Sequence, residues 1–314
     1  VNVLPPVTDT PKQITTEPSS STLPSLCCVG DSIDLDALPK RVFPTDEGEA
    51  AVFQLKANEK ENKKVVIVGK TAIVTGAANG VGLAISRHFI QQGANVVLAD
   101  MDEDSLKSEV TSLENEKGKA ISFSGDLREK LTQANLLSAT IDEFDRVDIL
   151  VNASRQFLIS DPLNSEEDSF ETLLSQNLIT NLRISQLIAK RMIHQAKIIE
   201  DVSECVGSII NLTSMAGRRA QPEILGYSVS CAAVEQLTRS LAVALASHSI
   251  RVNAVCFGSV MSGSLKDSLR ANGHLREKII SATPLRRIGE AKEVADAVQY
   301  LASNKKRNRL EVAS

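Results

Sequence analysis

Three glycines lie close together in the run Thr75-Gly76-Ala77-Ala78-Asn79-Gly80-Val81-Gly82. The chemistry such a run can do is phosphate binding. Glycines let the backbone approach a pyrophosphate, and a helix starting behind them offers free N–H groups and a partial positive charge. Taken alone, the pattern also fits an ordinary strand-to-helix turn. Compatible residues recur downstream. Asp100 closes an apolar run, Val96 to Ala99, and stands 24 residues after Gly76. A carboxylate there can accept both hydroxyls of an adenosine ribose and would repel a 2′-phosphate. No Arg or Lys stands at Asn79 or Met101 to hold such a phosphate, which favours NAD(H) over NADP(H). Asp100 could equally cap the loop that follows it. Asp126-Leu127 closes a third apolar run and could hold the adenine edge. Asn152-Ala153-Ser154 closes a fourth and could run under the ribose.

The elements that must position these residues follow from periodicity. Thr71 to Val74 reads as a short buried strand and Leu83 to Ile90 as an amphipathic helix. Further strands are expected at 96–99, 120–123, 147–151, 207–212 and 251–255, and helices at 103–116, 131–144, 170–196, 227–247 and 290–302. Near-continuous apolar strands separated by helices mean a parallel sheet covered on both faces. Right-handed crossovers then give an α/β fold with a doubly wound parallel sheet, whose ligands bind at the carboxyl ends of the strands.

Composition narrows the partners. A net charge of −4 argues against nucleic acid or an anionic membrane, and 3% aromatic residues with no Trp disfavour base stacking. No apolar run reads as long enough to span a bilayer, and no basic start precedes an apolar block. The five cysteines lack regular spacing, which fits a reducing, cytoplasmic compartment. The four histidines lack metal-ligand spacing, so no metal is expected. Residues 1–68 are rich in Pro, Thr, Ser and charge, and read as a mostly disordered N-terminal extension preceding a domain at 69–314.

With Thr75 to Gly82, Asp100, Asp126, Asn152-Ala153, Asn177, Ser214, Tyr227 and Arg251-Val252-Asn253, the chain resembles the short-chain dehydrogenase/reductase family. The match covers roughly residues 69 to 303. Its most specific element is Ser214 followed 13 residues later by Tyr227, where a long helix opens. The resemblance implies a single Rossmann-like domain that moves hydride between a nicotinamide and a carbonyl or alcohol. It also implies a homodimer or homotetramer. In this reading Tyr227 is the general acid/base, Ser214 polarises the carbonyl and Asn177 helps position a water. Thr75, Gly76, Asn79, Gly80, Val81, Gly82, Asp100, Asp126, Leu127, Asn152, Ala153 and Gly258 fall on the cofactor. The run Thr283 to Glu290 is similar to bacterial 3-oxoacyl-carrier-protein reductases and related alcohol dehydrogenases, which implies a small or acyl-type carbonyl substrate.

One position departs from the family in a way that matters. The family's lysine, four residues after the tyrosine, is Cys231 here. An ammonium stabilises a phenolate; a neutral thiol does not. At an unperturbed pKa of about 10, making phenolate at pH 7 costs about 4 kcal/mol, a thousandfold in population. Oxidising an alcohol needs that phenolate, whereas reducing a carbonyl needs only the neutral phenol. The expectation is an oxidoreductase biased toward carbonyl reduction; the alternative is a silent dinucleotide-binding scaffold or sensor. Cys231 could also be a plain small residue packed in a helix. Arg155, Arg218 or Arg219 could reach in to replace the lost charge, but nothing in the sequence supports it. Phe257-Gly258 stands where Pro-Gly is usual, and only Leu310-Glu311-Val312 is available for a seventh strand. The linker from Ala196 to Val206 is longer than usual.

Overall fold

The computed structural model describes residues 67–159, 161–164, 168–198, 205–219 and 222–303. Strand β1 (Thr71–Thr75) is buried along its whole length, as a strand covered on both faces must be. After it come α1 (Gly80–Gln91), β2 (Asn95–Asp100), α2 (Glu103–Ser112), β3 (Ala120–Ser124), α3 (Lys130–Phe144) and β4 (Ile149–Asn152). The second half holds α4 (Phe170–Leu174), α5 (Thr180–Ala196), β5 (Gly207–Ser214), α6 (Leu225–Leu245) and β6 (Ile250–Phe257). Then follow β7 (Val260–Met261), α7 (Gly263–Ala271), α8 (Leu275–Ala282), β8 (Gly289–Glu290) and α9 (Ala291–Ala302).

The six longer strands form one parallel sheet in the order β3-β2-β1-β4-β5-β6. The chain runs outward from β1 to β3, then returns to the other side of β1 to start β4. That reversal opens a crevice at the carboxyl ends of β1 and β4. Thr75, Asp100, Asn152, Ser214 and Phe257 are the last residues of β1, β2, β4, β5 and β6, so the sheet brings them to one edge.

Alternation along the strands divides the core. Ala72, Val74, Val96, Leu98 and Ile149 pack toward α1 and α9 through Ile85, Phe89, Val294 and Val298. Ile73, Val97, Leu150 and Ile209 pack toward α3 and α5 through Leu136, Ile184, Ile188 and Met192. Each such large side chain contributes about 1.5–3 kcal/mol on burial.

The structure corrects the sequence reading in several places. The helix expected over 170–196 is interrupted: a π turn at Ser175–Ile179 separates α4 from α5, with Thr180 Oγ1 donating to Ser175 O. Such bulges inside a helix re-aim side chains, and Asn177 sits in this one. The helix expected to reach Glu116 ends at Ser112, where the chain turns so that the Gly118 N–H meets Ile90 O. The fourth strand starts at Ile149, two residues late, because its approach is tied elsewhere: the Val147 N–H bonds Gln195 Oε1, and the Asp148 carboxylate takes the Thr71 N–H and Arg146. The helical stretch Pro222–His248 is long and apolar enough to cross a membrane by length and composition, with mean hydropathy 1.2, contrary to the expectation that no run would be. Here it carries α6, which packs against β5, β6 and α4 and buries Tyr227, Ser230, Cys231 and Val234. The expected extension at 1–66, the middle of the linker at 199–204 and a strand at 310–312 lie outside the described residues.

Candidate active site

At the turn after β1, Thr75 Oγ1 accepts the N–H groups of Ala153 and Ser154, at 3.1 and 3.0 Å. This ties the exit of β4 to the exit of β1. It also leaves no room beside Gly76, where a Cβ would lie 2.7 Å from Ser154 Cα. Gly82 is constrained by the turn itself, since its Cβ would meet Gly76 O at 2.1 Å. Gly80 differs. Its φ is +57°, left-handed like that of Gly76 at +65°, but the nearest atom to a Cβ there, Ser262 Cβ, lies at an ordinary contact distance of 3.6 Å. Gly76 and Gly82 are thus held by close backbone contacts, and Gly80 by its backbone conformation.

The start of α1 is left unfilled by the protein. Asn79 makes no side-chain capping bond, and no acid stands in the first turn, which includes Val81. By contrast, Asp102 caps α2 by accepting the Ser105 N–H, and Glu290 and Glu293 cap α9 reciprocally. A free helix start behind a glycine turn fits an anionic group such as a pyrophosphate. Asp100 both fastens the turn and heads the next loop. Its Oδ2 accepts the Ala78 N–H at 3.1 Å, and its Oδ1 accepts the Met101 N–H at 2.7 Å.

The other expected cofactor residues stand as follows. The Asp126 carboxylate is forked by the Arg128 guanidinium, which holds it below the ordinary carboxylate range. Leu127 is buried, and its carbonyl accepts from Gln133 Nε2. The Asn152 side chain is turned inward: Nδ2 donates to Ser185 Oγ and to Asn211 Oδ1, and Oδ1 is buried without a partner. Ala153 presents its N–H to Thr75, so at this strand end the backbone is the available surface. Gly258 is exposed, with nothing near the place a Cβ would take.

The ends of β5 and β6 meet α6. Ser214 Oγ accepts the Ala216 N–H at 3.2 Å. Tyr227 is buried in the first turns of α6, with its ring edge-on to Phe157 at 5.0 Å between centroids. Burial pushes its phenol above the ordinary tyrosine value. The Arg155 charge and a hydrogen bond from Ser214 act in the opposite direction, and the Cys231 thiol adds to the rise. Cys231 is itself buried, and burial pushes its thiol up. The turn after Ser214 lies directly on it, for a Cβ at Gly217 would come within 3.1 Å of Cys231 Cβ. A thiol held protonated there is neither a cation nor a nucleophile.

The side chain of Asn177 is spent within the protein. Its Oδ1 accepts the Gln156 N–H at 2.7 Å, and its Nδ2 donates to Gln156 O at 2.9 Å and to Ser230 Oγ at 3.1 Å. Both amide protons are thus used within the protein, so the side-chain NH2 has none left to hold a water. The π turn aims Asn177 at the loop leaving β4, and it clasps that loop.

Of this loop the sequence offered Arg155 as a possible charge and gave no sign of the roles of Gln156 and Phe157. Arg155 rests over the Phe257 ring, its guanidinium carbon 4.6 Å from the centroid, with Nη1 3.5 Å from Thr213 O. Gln156 is clasped by Asn177, and Phe157 packs on Tyr227. The available signal was a cation just past one strand end and a ring at the end of another. Of the other two arginines considered, Arg218 is forked onto Glu235 at 3.1 Å to both oxygens, and Arg219 is exposed.

Comparison with known proteins bears on the family and the fold. The family described as Enoyl-(Acyl carrier protein) reductase matches residues 76–308. An uncharacterized oxidoreductase of Thermotoga maritima is 32% identical over 237 residues, which span 74% of this chain and 90% of that protein. A 3-oxoacyl-[acyl-carrier-protein] reductase of the same organism is 30% identical over 242 residues, 75% of this chain and 91% of its own length. A solved 7α-hydroxysteroid dehydrogenase, complexed with NADH and 7-oxo glycochenodeoxycholic acid, is similar with a TM-score of 0.68 and 28% identity, covering 76% of this chain and 89% of that one.

Proposed function

The chain belongs to the short-chain dehydrogenase/reductase family, and on that premise we propose that it is an NAD(H)-linked oxidoreductase that reduces a small or acyl-type carbonyl to the alcohol. The observation that carries the direction is Tyr227, a buried phenol held above its ordinary value beside Ser214, with a thiol where the family has a cation. When bound, a nicotinamide dinucleotide supplies the hydride. Tyr227 Oη holds the proton that goes to the substrate oxygen, and the Ser214 hydroxyl donates a hydrogen bond to that oxygen. A neutral phenol is the acid that reduction needs, and it is present throughout the neutral range. The reverse reaction needs phenolate, which burial makes scarce.

The start of α1, without a side-chain cap or an acid in its first turn, supports a pyrophosphate site. The Asp100 carboxylate supports the preference for NAD(H), since it would repel a 2′-phosphate. Relatives named for 3-oxoacyl and 7-oxo substrates support a carbonyl attached to a larger skeleton. The exposed apolar residues Ile179, Leu225, Val229 and Val243 on the helices around Tyr227 support pairing of two copies there.

The test is NADH and NADPH binding by fluorescence, followed by a carbonyl panel assayed in both directions at neutral pH. NADH-dependent reduction that outpaces alcohol oxidation is expected. Efficient oxidation at neutral pH would sink the directional reading. Binding without turnover, unrescued by Cys231→Lys, would favour a silent dinucleotide-binding protein.

A further inference from the structure

The active site holds a cation that no motif assigns. We propose that Arg155, on the loop leaving β4, is the positioning residue that supplies Tyr227 with the positive charge position 231 does not carry. The proposal rests on the reading of Tyr227 as the proton donor and deepens it.

The geometry fixes three consecutive residues. Arg155 is seated on the Phe257 ring at 4.6 Å, with Nη1 reaching toward Thr213 O. Gln156 is held at both its N–H and its carbonyl by Asn177. Phe157 stands edge-on to the Tyr227 ring. Thr213 immediately precedes Ser214, and Phe257 is the sheet partner of Ser214. Arg155 is therefore braced by the residue before Ser214 and by the residue beside it. Two departures that look unrelated in sequence then belong together. Cys231 removes a cation from α6, and Phe257, in place of proline, gives a relocated cation a ring to rest on.

The groups acting on the Tyr227 phenol are Arg155 from this loop, Cys231 from α6 and Ser214 from β5; of these only Arg155 is cationic. A guanidinium stays charged at any working pH, so it cannot release its proton as a buried lysine can. Arg155 is exposed, and water screens it while the site is open. Its effect on the phenol is largest once a bound ligand covers the site.

The chain contains two tyrosines, Tyr227 and Tyr300, and no tryptophan, so phenolate absorbance can be assigned. The full chain carrying Tyr300→Phe is titrated with alkali, and the midpoint read belongs to Tyr227. Arg155→Met is expected to move that midpoint to higher pH and to lower alcohol oxidation at neutral pH about tenfold, with carbonyl reduction changed less. Arg155→Lys restores both in part. Phe257→Leu removes only the ring under the guanidinium and serves if Arg155→Met does not fold; it moves the midpoint the same way by less. An unchanged midpoint in these variants, or Arg155→Lys behaving as Arg155→Met does, overturns the proposal. If the midpoint moves while no variant, parent included, reduces any carbonyl, the oxidoreductase reading fails and the assignment of Arg155 stands.

Discussion

The two halves of the strand-end crevice are built on different principles. On the β1–β2 side the work falls to the backbone: a turn with Gly76 pressed on Ser154, Gly82 pressed on Gly76, and an uncapped helix start. On the β5–β6 side it falls to side chains: Ser214, Tyr227, Cys231 and Arg155. The first side keeps the glycine turn and Asp100 that the sequence singled out. The second has lost one and holds a cation in another place. The difference follows from the forces involved. A close backbone contact of under 3 Å admits no substitute for glycine. A charge acts over several ångströms and can come from another element.

The sharpest break of this comparison is Tyr227→Phe. It removes the proton donor and leaves the cradle untouched. Carbonyl reduction should fall about a hundredfold or more, the scale of general acid catalysis, while NADH affinity stays as in the parent. A matching loss of NADH binding would mean that the two sides are not separable.

Next in size is the gain from Cys231→Lys. An ammonium beside the phenol favours phenolate, so alcohol oxidation at neutral pH should rise about tenfold or more. The pH profile carries the sign. In the parent, burial holds the phenol above its ordinary value, so reduction should be flat through the neutral range and fall only as alkaline pH passes the phenol's pKa. Oxidation should climb about tenfold per pH unit over the same range, because the phenolate fraction does. Cys231→Lys should shift the rise in oxidation to lower pH. An oxidation profile that is flat at neutral pH in the parent would mean that Tyr227 is already ionised there.

On the other side, Asp100→Asn removes the charge at the end of β2 and retains an oxygen to accept the Ala78 N–H. The preference for NADH over NADPH should narrow about tenfold, read as a ratio of dissociation constants. An unchanged ratio would reduce Asp100 to its observed role of fastening the glycine turn.

What the sequence disclosed divides along the same line. The glycine turn, Asp100 and the Ser214–Tyr227 spacing lie in short local patterns, and each strand and helix carrying them follows from apolar periodicity. The doubly wound parallel sheet follows from the alternation of strands and helices; the order that sets β4 beside β1 comes from the structure. What stayed hidden depends on contacts between distant segments. No periodicity shows that Thr75 and Ser154 meet, or that Arg155 reaches a ring 102 positions away at Phe257. The π turn is equally silent, because Ser175 to Ile179 have ordinary helical composition and only the re-aimed Asn177 reveals it. Asn152 illustrates a further limit: its place at a strand end was legible, but the inward turn of its side chain toward Asn211 was not.

The smallest expected effect bears on the seam between the two sides. Thr75 Oγ1 accepts the Ala153 and Ser154 N–H groups, and Ser154 precedes Arg155. Thr75→Val keeps the shape of the side chain and leaves both N–H groups without that acceptor. A lost acceptor for buried donors costs about 1–3 kcal/mol in stability, and the part-buried site here favours the lower end. Beyond stability, both exits should loosen together, because the bond that is lost joins them. NADH affinity and carbonyl reduction should each fall about twofold to threefold, a shift worth under 1 kcal/mol. Equal small losses would identify Thr75 as the joint between cradle and catalytic loop. A loss confined to NADH binding would place the residue wholly on the cradle side, with Arg155 placed by Phe257, the Thr213 carbonyl and the Asn177 clasp on Gln156.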